Sequence, residues 1–401
     1  MKTSEYINNT NTIISRYILL LGFFFFLTGI LFFKSISAYH TQIYLFLILP
    51  SLVLLTTQYK TFIPILSSKS FKTLLILMSY ALISVFWNDP SIEDLKYFKR
   101  MLIVLLFIFS LIVINKENSQ RLLQLLLVAA ILYSLAAYYS IYSEYLSQSK
   151  TIEIRIIGMG NLSNPLLSSH IYGVFSVFIM TYYFSKDLKL IENIGLVLIF
   201  VGLISFIILT LSRTPLVGLS AALVLLLWMH RSKKTLYFLF IIGCLASIYA
   251  FFNFEQLTSR GLSFRPEIWS IAFDKISHKP FFGYGIGTNI NIYIDGLKTL
   301  FSDTHNIHIG LTYNLGLIGL VIWVSLLISL FFIYLKNKSS IYAQLGTAIL
   351  VYGMSAGMTE GMSFFSRPKE VWFLTWLPIA LLFVAEYQRL TSQSQQPHKD
   401  L

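Results

Sequence analysis

The stretch IENIGLVLIFVGLISFIILTLSRTPLVGLSAALVLLLWM, residues 191–229, contains two apolar runs, 191 to 211 and 214 to 229, with Arg213 between them. About 20 apolar residues let a helix cross the hydrocarbon of a bilayer, and somewhat shorter runs also serve. Only a few residues separate the two runs, so the chain must turn in an abrupt hairpin at the membrane–water boundary. Pro215 suits the opening of the second helix, and its ring is expected to push Thr214 out of helical geometry.

The same pattern extends outward in both directions. Apolar runs occur at 17–33, 41–57, 71–87, 100–115, 121–142, 168–184, 191–211, 214–229, 235–252, 307–335, 341–360 and 370–388. Composition agrees: 56% of the 401 residues are hydrophobic and 12% are charged, against about 25% charged in soluble domains. The expected fold class is an all-α polytopic membrane protein with about 12 transmembrane helices. A single membrane domain spans 1–401, with one long loop at 253–306 containing short helices and a cytoplasmic tail at 389–401. The first run has no small-residue cleavage pattern after it and reads as a span, not a signal peptide.

The net charge of +12 does not point to nucleic acid, because the basic residues sit in short connections between apolar runs and form no stripe on a soluble module. Sixteen Lys and Arg fall on the side that holds both termini and fourteen on the other. The sixteen lie in the termini and in tight connectors such as His230-Arg-Ser-Lys-Lys234, whereas the fourteen are spread over longer, acid-containing loops. Short loops set orientation, so both termini are expected in the cytoplasm and the 253–306 loop outside. Cys244 is the only cysteine, which excludes an intrachain disulfide and a cysteine-based metal site.

Residues 253–306 interrupt the apolar pattern, and irregular backbone cannot lie in hydrocarbon without leaving its amides unsatisfied. The loop carries Arg260, Arg265, Gly283-Tyr-Gly-Ile-Gly287 and Asp303-Thr-His-Asn306. Arg265 precedes Pro266, and Ile268, Trp269, Ala272, Phe273 and Ile276 recur at helical spacing as one apolar face. This puts a guanidinium at a helix N-terminus, a place already suited to an anion; a surface arginine paired with an acid is the plainer reading. Arg213 reads either as an anion ligand lining a cavity or as an anchor snorkelling to the headgroups. The glycine run lacks the strand and the GK[ST] of a nucleotide loop, so its glycines are expected to permit tight turns and close approach to the membrane surface.

His305 follows the capping-type cluster Ser302-Asp-Thr304 and can act as a base near neutral pH, or merely end a helix. A metal site built from Asp303, His305 and His308 lacks a convincing carboxylate or a third His at metal-ligand spacing. Topology puts Arg213, Arg265 and His305 on one side of the membrane, as an acidic lipid-linked substrate would require. Arg100, Arg155, Arg260, Glu360, Arg367 and His308 are secondary polar candidates on that side.

Leu211-Ser-Arg213 at a hairpin, Arg265 with Trp269, His278-Lys-Pro-Phe-Phe-Gly-Tyr-Gly-Ile-Gly287 and His305-Asn306 with Gly316 and Gly319 downstream together resemble the O-antigen ligase family. The motifs run from about residue 191 to 335, and the helical layout extends the likeness over nearly the whole chain. The resemblance implies a GT-C-like glycosyltransferase that needs no metal or cofactor and works at the periplasmic face of the inner membrane. It would transfer a glycan from undecaprenyl diphosphate to lipid A-core oligosaccharide. Arg213 and Arg265 would bind the diphosphate, and His305 would assist deprotonation of the acceptor; Arg260, Arg100, Arg155 and His308 rank below them as residues for contact with the diphosphate or the acceptor core, each with an ordinary interfacial reading. The same superfamily contains O-antigen polymerases and protein O-oligosaccharyltransferases. The short Arg213 hairpin and the short C-terminal tail favour a ligase. A transporter or flippase would instead call for broken helices or repeated halves near the bilayer midplane, which the sequence pattern does not suggest.

Overall fold

The computed structural model describes residues 9–87, 94–147, 155–252, 264–294, 298–361 and 365–395. Each of the twelve apolar runs lies on a helix. Nine helices among the described residues are long and apolar enough to cross a membrane: α1 (Asn9–Phe32), α2 (Ile36–Thr61), α3 (Lys69–Trp87), α4 (Leu95–Glu117), α5 (Arg121–Tyr145), α6 (Pro165–Ser185), α7 (Leu190–Leu209), α11 (Ile307–Lys336) and α13 (Glu370–Ser394). Two shorter apolar helices, α8 (Thr214–His230) and α12 (Ile341–Ala356), complete the bundle core, and α9 (Lys233–Phe252) follows α8. The protein is therefore an all-α polytopic membrane protein.

The most apolar helices need not be the most buried. The spanning window of α13 is 94% buried and that of α7 only 28%, although α7 is the more hydropathic. A helix that is apolar all round can face either protein or lipid, so packing decides. The α13 segment stacks Trp372, Phe373 and Trp376, all fully buried, against its neighbours. It packs on α12 and α4, while α12 also packs on α8 and α6. Tyr352 of α12 sits in a notch formed by Gly173 of α6 and Gly218 of α8, where any added side chain would strike its ring.

The loop between α9 and α11 contains α10 (Arg265–His278) and a small antiparallel ribbon, β1 (Ile292–Ile294) paired with β2 (Thr299–Phe301), in register Ile292 to Phe301. The ribbon was not expected from the sequence. Ile268, Ala272 and Ile276 of α10 form a buried stripe at four-residue spacing. With Ile290, Ile292 and Ile294 they build a second small core against Ile309 and Tyr313 of α11. Phe273, expected on this face, is rotated off the stripe and is 57% exposed.

One other expectation is corrected. Residues 307–335 do not form one uninterrupted span, because Gly316 adopts φ 65°, ψ −171° and breaks α11. The second piece, 317–336, is about 30 Å long at 1.5 Å per residue and matches the hydrocarbon thickness by itself. The glycine run fills the break, and Gly283, Gly285 and Gly287 take φ 74°, 90° and 95°, as the tight turns expected of them require. Tyr284 and Gly285 donate their backbone N–H groups to the carbonyls of Tyr313 and Asn314 at 2.9 and 2.8 Å. Across the break, Leu317 and Ile318 donate to Pro280 and Phe281 at 2.8 and 3.2 Å. Backbone groups that a broken helix frees are thus paired, as burial demands.

Candidate active site

A cavity of about 260 Å³ lies where four connections meet, and Arg155, Leu211, Ser212, Arg213, Arg265, His305 and Glu360 line it. These connections join α5 to α6, α7 to α8, α9 to α11 and α12 to α13, so they alternate along the bundle and share one end of it.

The α7–α8 hairpin is tight because Leu211 takes φ 51°, in the left-handed region that costs an L-residue roughly 1–2 kcal/mol. Helix α8 begins at Thr214, so Pro215 leaves Thr214 helical instead of displacing it. Arg155 ties the hairpin down: its Nε donates to the Thr210 carbonyl at 2.7 Å and an Nη to Ser212 Oγ at 2.8 Å. Arg155 therefore does more than line the cavity, since it fixes the turn that presents Arg213.

Arg265 opens α10, and its side chain is only 19% exposed. Its Nε donates to the Thr359 carbonyl at 2.7 Å, and an Nη lies 3.8 Å from Glu360 Oε2. The arginine is paired with an acid, but inside the cavity and not on an open surface. The first turns of α6, α8 and α10 contribute Leu166, Thr214, Arg265 and Ile268 to the lining. Three positive helix ends therefore meet three guanidinium groups and one carboxylate, an arrangement that favours an anion.

His305 is held in place by its neighbours. It adopts φ 48°, and Asp303 Oδ1 accepts its backbone N–H at 3.0 Å. Trp269 Nε1 donates to the Thr304 carbonyl at 3.1 Å, and the Phe301 ring meets the imidazole edge-on at 5.8 Å. The cap of α11 is Asn306, whose side chain accepts from the His308 and Ile309 amides. The Ser302-Asp-Thr304 cluster, expected to supply that cap, instead orients His305. His305 Nδ1 lies 3.4 Å from Glu360 Oε1. This contact raises the His305 pKa above its ordinary 6.5, with burial and Arg265 pulling the other way. Asp303 is buried enough to push its carboxyl up to about 6.

Glu360 is the residue whose place beside His305 and Arg265 no sequence pattern signals. It follows the α12 run as one polar group among several, and only its glycine neighbours, Gly357 and Gly361, hint at close packing. At Gly361 a Cβ would sit 2.6 Å from the backbone of Asn306 and Ile307. The Ile307 amide donates to the Gly357 carbonyl at 2.8 Å. These contacts press the start of α11 onto the end of α12 and bring Glu360 to His305.

The remaining candidates lie elsewhere. Arg100 donates to the Phe365 carbonyl at 3.0 Å and stacks over Tyr97 at 5.0 Å, away from the cavity lining. His308 is likewise absent from that lining. Arg260 lies outside the described residues. Among the described residues no three His, Cys, Asp or Glu side chains are grouped to hold a metal ion.

The hairpin and the loop that build this cavity fall in one segment recognisable by comparison. A family model described as O-antigen ligase matches residues 198–324. An O-antigen ligase of Pseudomonas aeruginosa (strain PAO1) is 34% identical over 389 residues, covering 97% of this chain and 96% of that protein. This chain belongs to the O-antigen ligase family. The matched segment includes Arg213, Arg265, His305 and the Gly316 break, but not Arg155 or Glu360. As an O-antigen ligase family member, the protein is a glycosyltransferase-like membrane enzyme of lipopolysaccharide biosynthesis. In this family member the cavity is assembled partly from connections that lie outside the matched segment.

Proposed function

We propose that the chain transfers a glycan from undecaprenyl diphosphate to a hydroxyl of lipid A-core oligosaccharide, at the periplasmic face of the inner membrane, with both termini in the cytoplasm. The observation that carries this reading is the single cavity lined by Arg155, Arg213, Arg265 and the His305–Glu360 pair. Its volume suits a charged headgroup better than a whole glycan, because pockets for drug-sized ligands run to about 300–1,000 Å³.

The acceptor hydroxyl oxygen forms the new bond to the anomeric carbon, and the bond from that carbon to the diphosphate breaks with its electron pair going to the diphosphate oxygen. His305 takes the hydroxyl proton. With Nδ1–H directed at Glu360, the lone pair on Nε2 is the one free to accept it, and the resulting imidazolium is stabilised by the carboxylate. Arg213 and Arg265, with the α8 and α10 N-termini, stabilise charge that grows on the departing diphosphate and so bind the transition state better than the donor. No metal enters these steps.

Deleting the gene and separating surface lipopolysaccharide on a gel tests the assignment. Loss of the capped ladder with lipid-linked polymer retained fits a ligase. A single repeat unit left on the core would mean a polymerase instead, and unchanged lipopolysaccharide would leave room for a transporter of another substrate.

A further inference from the structure

Beneath the cavity, inside the bundle, lies a small chamber of about 20 Å³ lined by His170 of α6, Glu360, Glu370 and Thr375. His170 is 1% exposed, and both of its ring nitrogens lack a hydrogen-bond partner, as does Glu360 Oε2. The two ring nitrogens of one buried side chain are costly to leave unpaired, since each loses its hydration without replacement, and Glu360 Oε2 accepts no hydrogen bond although Arg265 approaches it to 3.8 Å. The chamber exceeds the roughly 10–15 Å³ that one water requires, and its walls offer enough polar partners to hold one.

The backbone fixes His170 at this spot. Its carbonyl accepts from Tyr352 Oη at 3.3 Å, and Tyr352 is locked between Gly173 and Gly218. The α6, α8 and α12 helices therefore meet one turn below the Glu360 end of α12. Glu360 is shared by two compartments: His305 and Arg265 approach it from the substrate cavity, and His170 shares the inner chamber with it.

We propose that His170 is a positioning residue for Glu360, linked to it through one water in the inner chamber, and that it tunes His305 from within the bundle. The inference rests on His305 being the base. An imidazole N–H donating through water to Oε2 favours the charged carboxylate and fixes its orientation, which leaves Oε1 aimed at His305. The charged or titratable groups facing this relay are Arg265 on α10, Asp303 beside His305, Glu370 at the start of α13, and Arg155 and Arg213 across the cavity.

The test uses purified full-length enzyme with undecaprenyl-diphosphate-linked glycan and lipid A-core, assayed across pH. His170→Leu and His170→Met both remove the ring nitrogens with little change in bulk, and whichever inserts at wild-type level carries the measurement. With the carboxylate less well held, His305 loses part of its raised pKa. The acid limb of kcat should then move down by about half a pH unit and kcat should fall about five- to tenfold, with donor KM unchanged. His170→Gln, which keeps a donor and an acceptor, should recover much of both. In a Glu360→Gln background the His170 change should add little. A purely structural role would lower the yield of inserted protein without moving the acid limb. An acid limb at its wild-type position, or a full additive loss on top of Glu360→Gln, overturns the inference. If His305→Ala itself keeps full activity, the base assignment fails and this inference fails with it.

Discussion

The Nδ1 atom of His305 lies 3.4 Å from Oε1 of Glu360, although the two residues belong to the connections on either side of α11 and α12. The contact exists because Gly361 lets the backbone at Asn306 and Ile307 come within 2.6 Å of where a side chain would stand. Two titratable side chains from separate connections are thus joined by glycine-mediated packing.

Glu360→Gln should lower kcat by about ten- to a hundredfold, since it removes the charge that steadies the imidazolium but leaves the imidazole in place. The His305 pKa, raised chiefly by this contact, should fall toward its ordinary value. A pH series of ligation rates checks both effects, and an acid limb that does not shift would show that Glu360 does not govern His305.

In the wild type, ligation should fall as pH drops through the raised His305 pKa, because only neutral imidazole accepts a proton. The pairing has the opposite consequence for stability. A folded-state pKa raised above the unfolded value stabilises the fold fully below about pH 6.5, and that contribution is lost as pH rises through the folded value. Melting of the detergent-solubilised protein should show this term in wild type and lose it in His305→Ala. The same variant should lose roughly 10²–10⁴ in kcat.

Arg213→Ala and Arg265→Ala should each abolish glycan attachment while the protein still inserts and lipid-linked glycan accumulates. Arg→Lys at either position should also impair transfer, since an ammonium lacks the two-point fork. Full activity of the lysine variants in a null strain would mean that charge alone is recognised. Arg155→Lys should raise donor KM through loss of the paired contacts to Thr210 and Ser212, and an unchanged KM would remove Arg155 from hairpin support.

Gly361→Ala should insert normally yet transfer slowly, because the added methyl must push Asn306 and Ile307 away and with them His305. A misplacement of about 1 Å can cost on the order of 10²-fold in rate. Gly316→Ala is expected to act on the fold instead. Its φ of 65° with ψ −171° is a region kept almost wholly to glycine and disfavours a side chain by about 1–3 kcal/mol, before the clash with Phe281. Lower thermal stability with residual specific activity per folded molecule is the outcome to look for, measured by melting in detergent.

Much of the helical layout was legible because hydropathy is a local property. A run such as 191–211 announces a span whatever it packs against, and the few residues after it force a hairpin that carries Arg213. The face of α10 was read nearly correctly from periodicity, with Phe273 misassigned because its angle lies at the edge of the stripe. The break in α11 was missed because a single glycine in a long apolar run leaves hydropathy almost unchanged. The contact of Glu360 with His305 was not legible because no local pattern links the two residues.

By itself the sequence determined that this protein is a multi-pass helical membrane protein and that Arg213, Arg265 and His305 belong to connections expected on the same side. Burial of apolar helices and the length of a span follow from composition along the chain, so no fold is needed to read them. Only the tertiary structure decided which polar groups share a cavity. It brought Arg155 to the hairpin, Glu360 to His305 and His170 to the chamber beneath. Each of these depends on how closely distant backbones approach, which glycines such as Gly361 permit and no local pattern encodes.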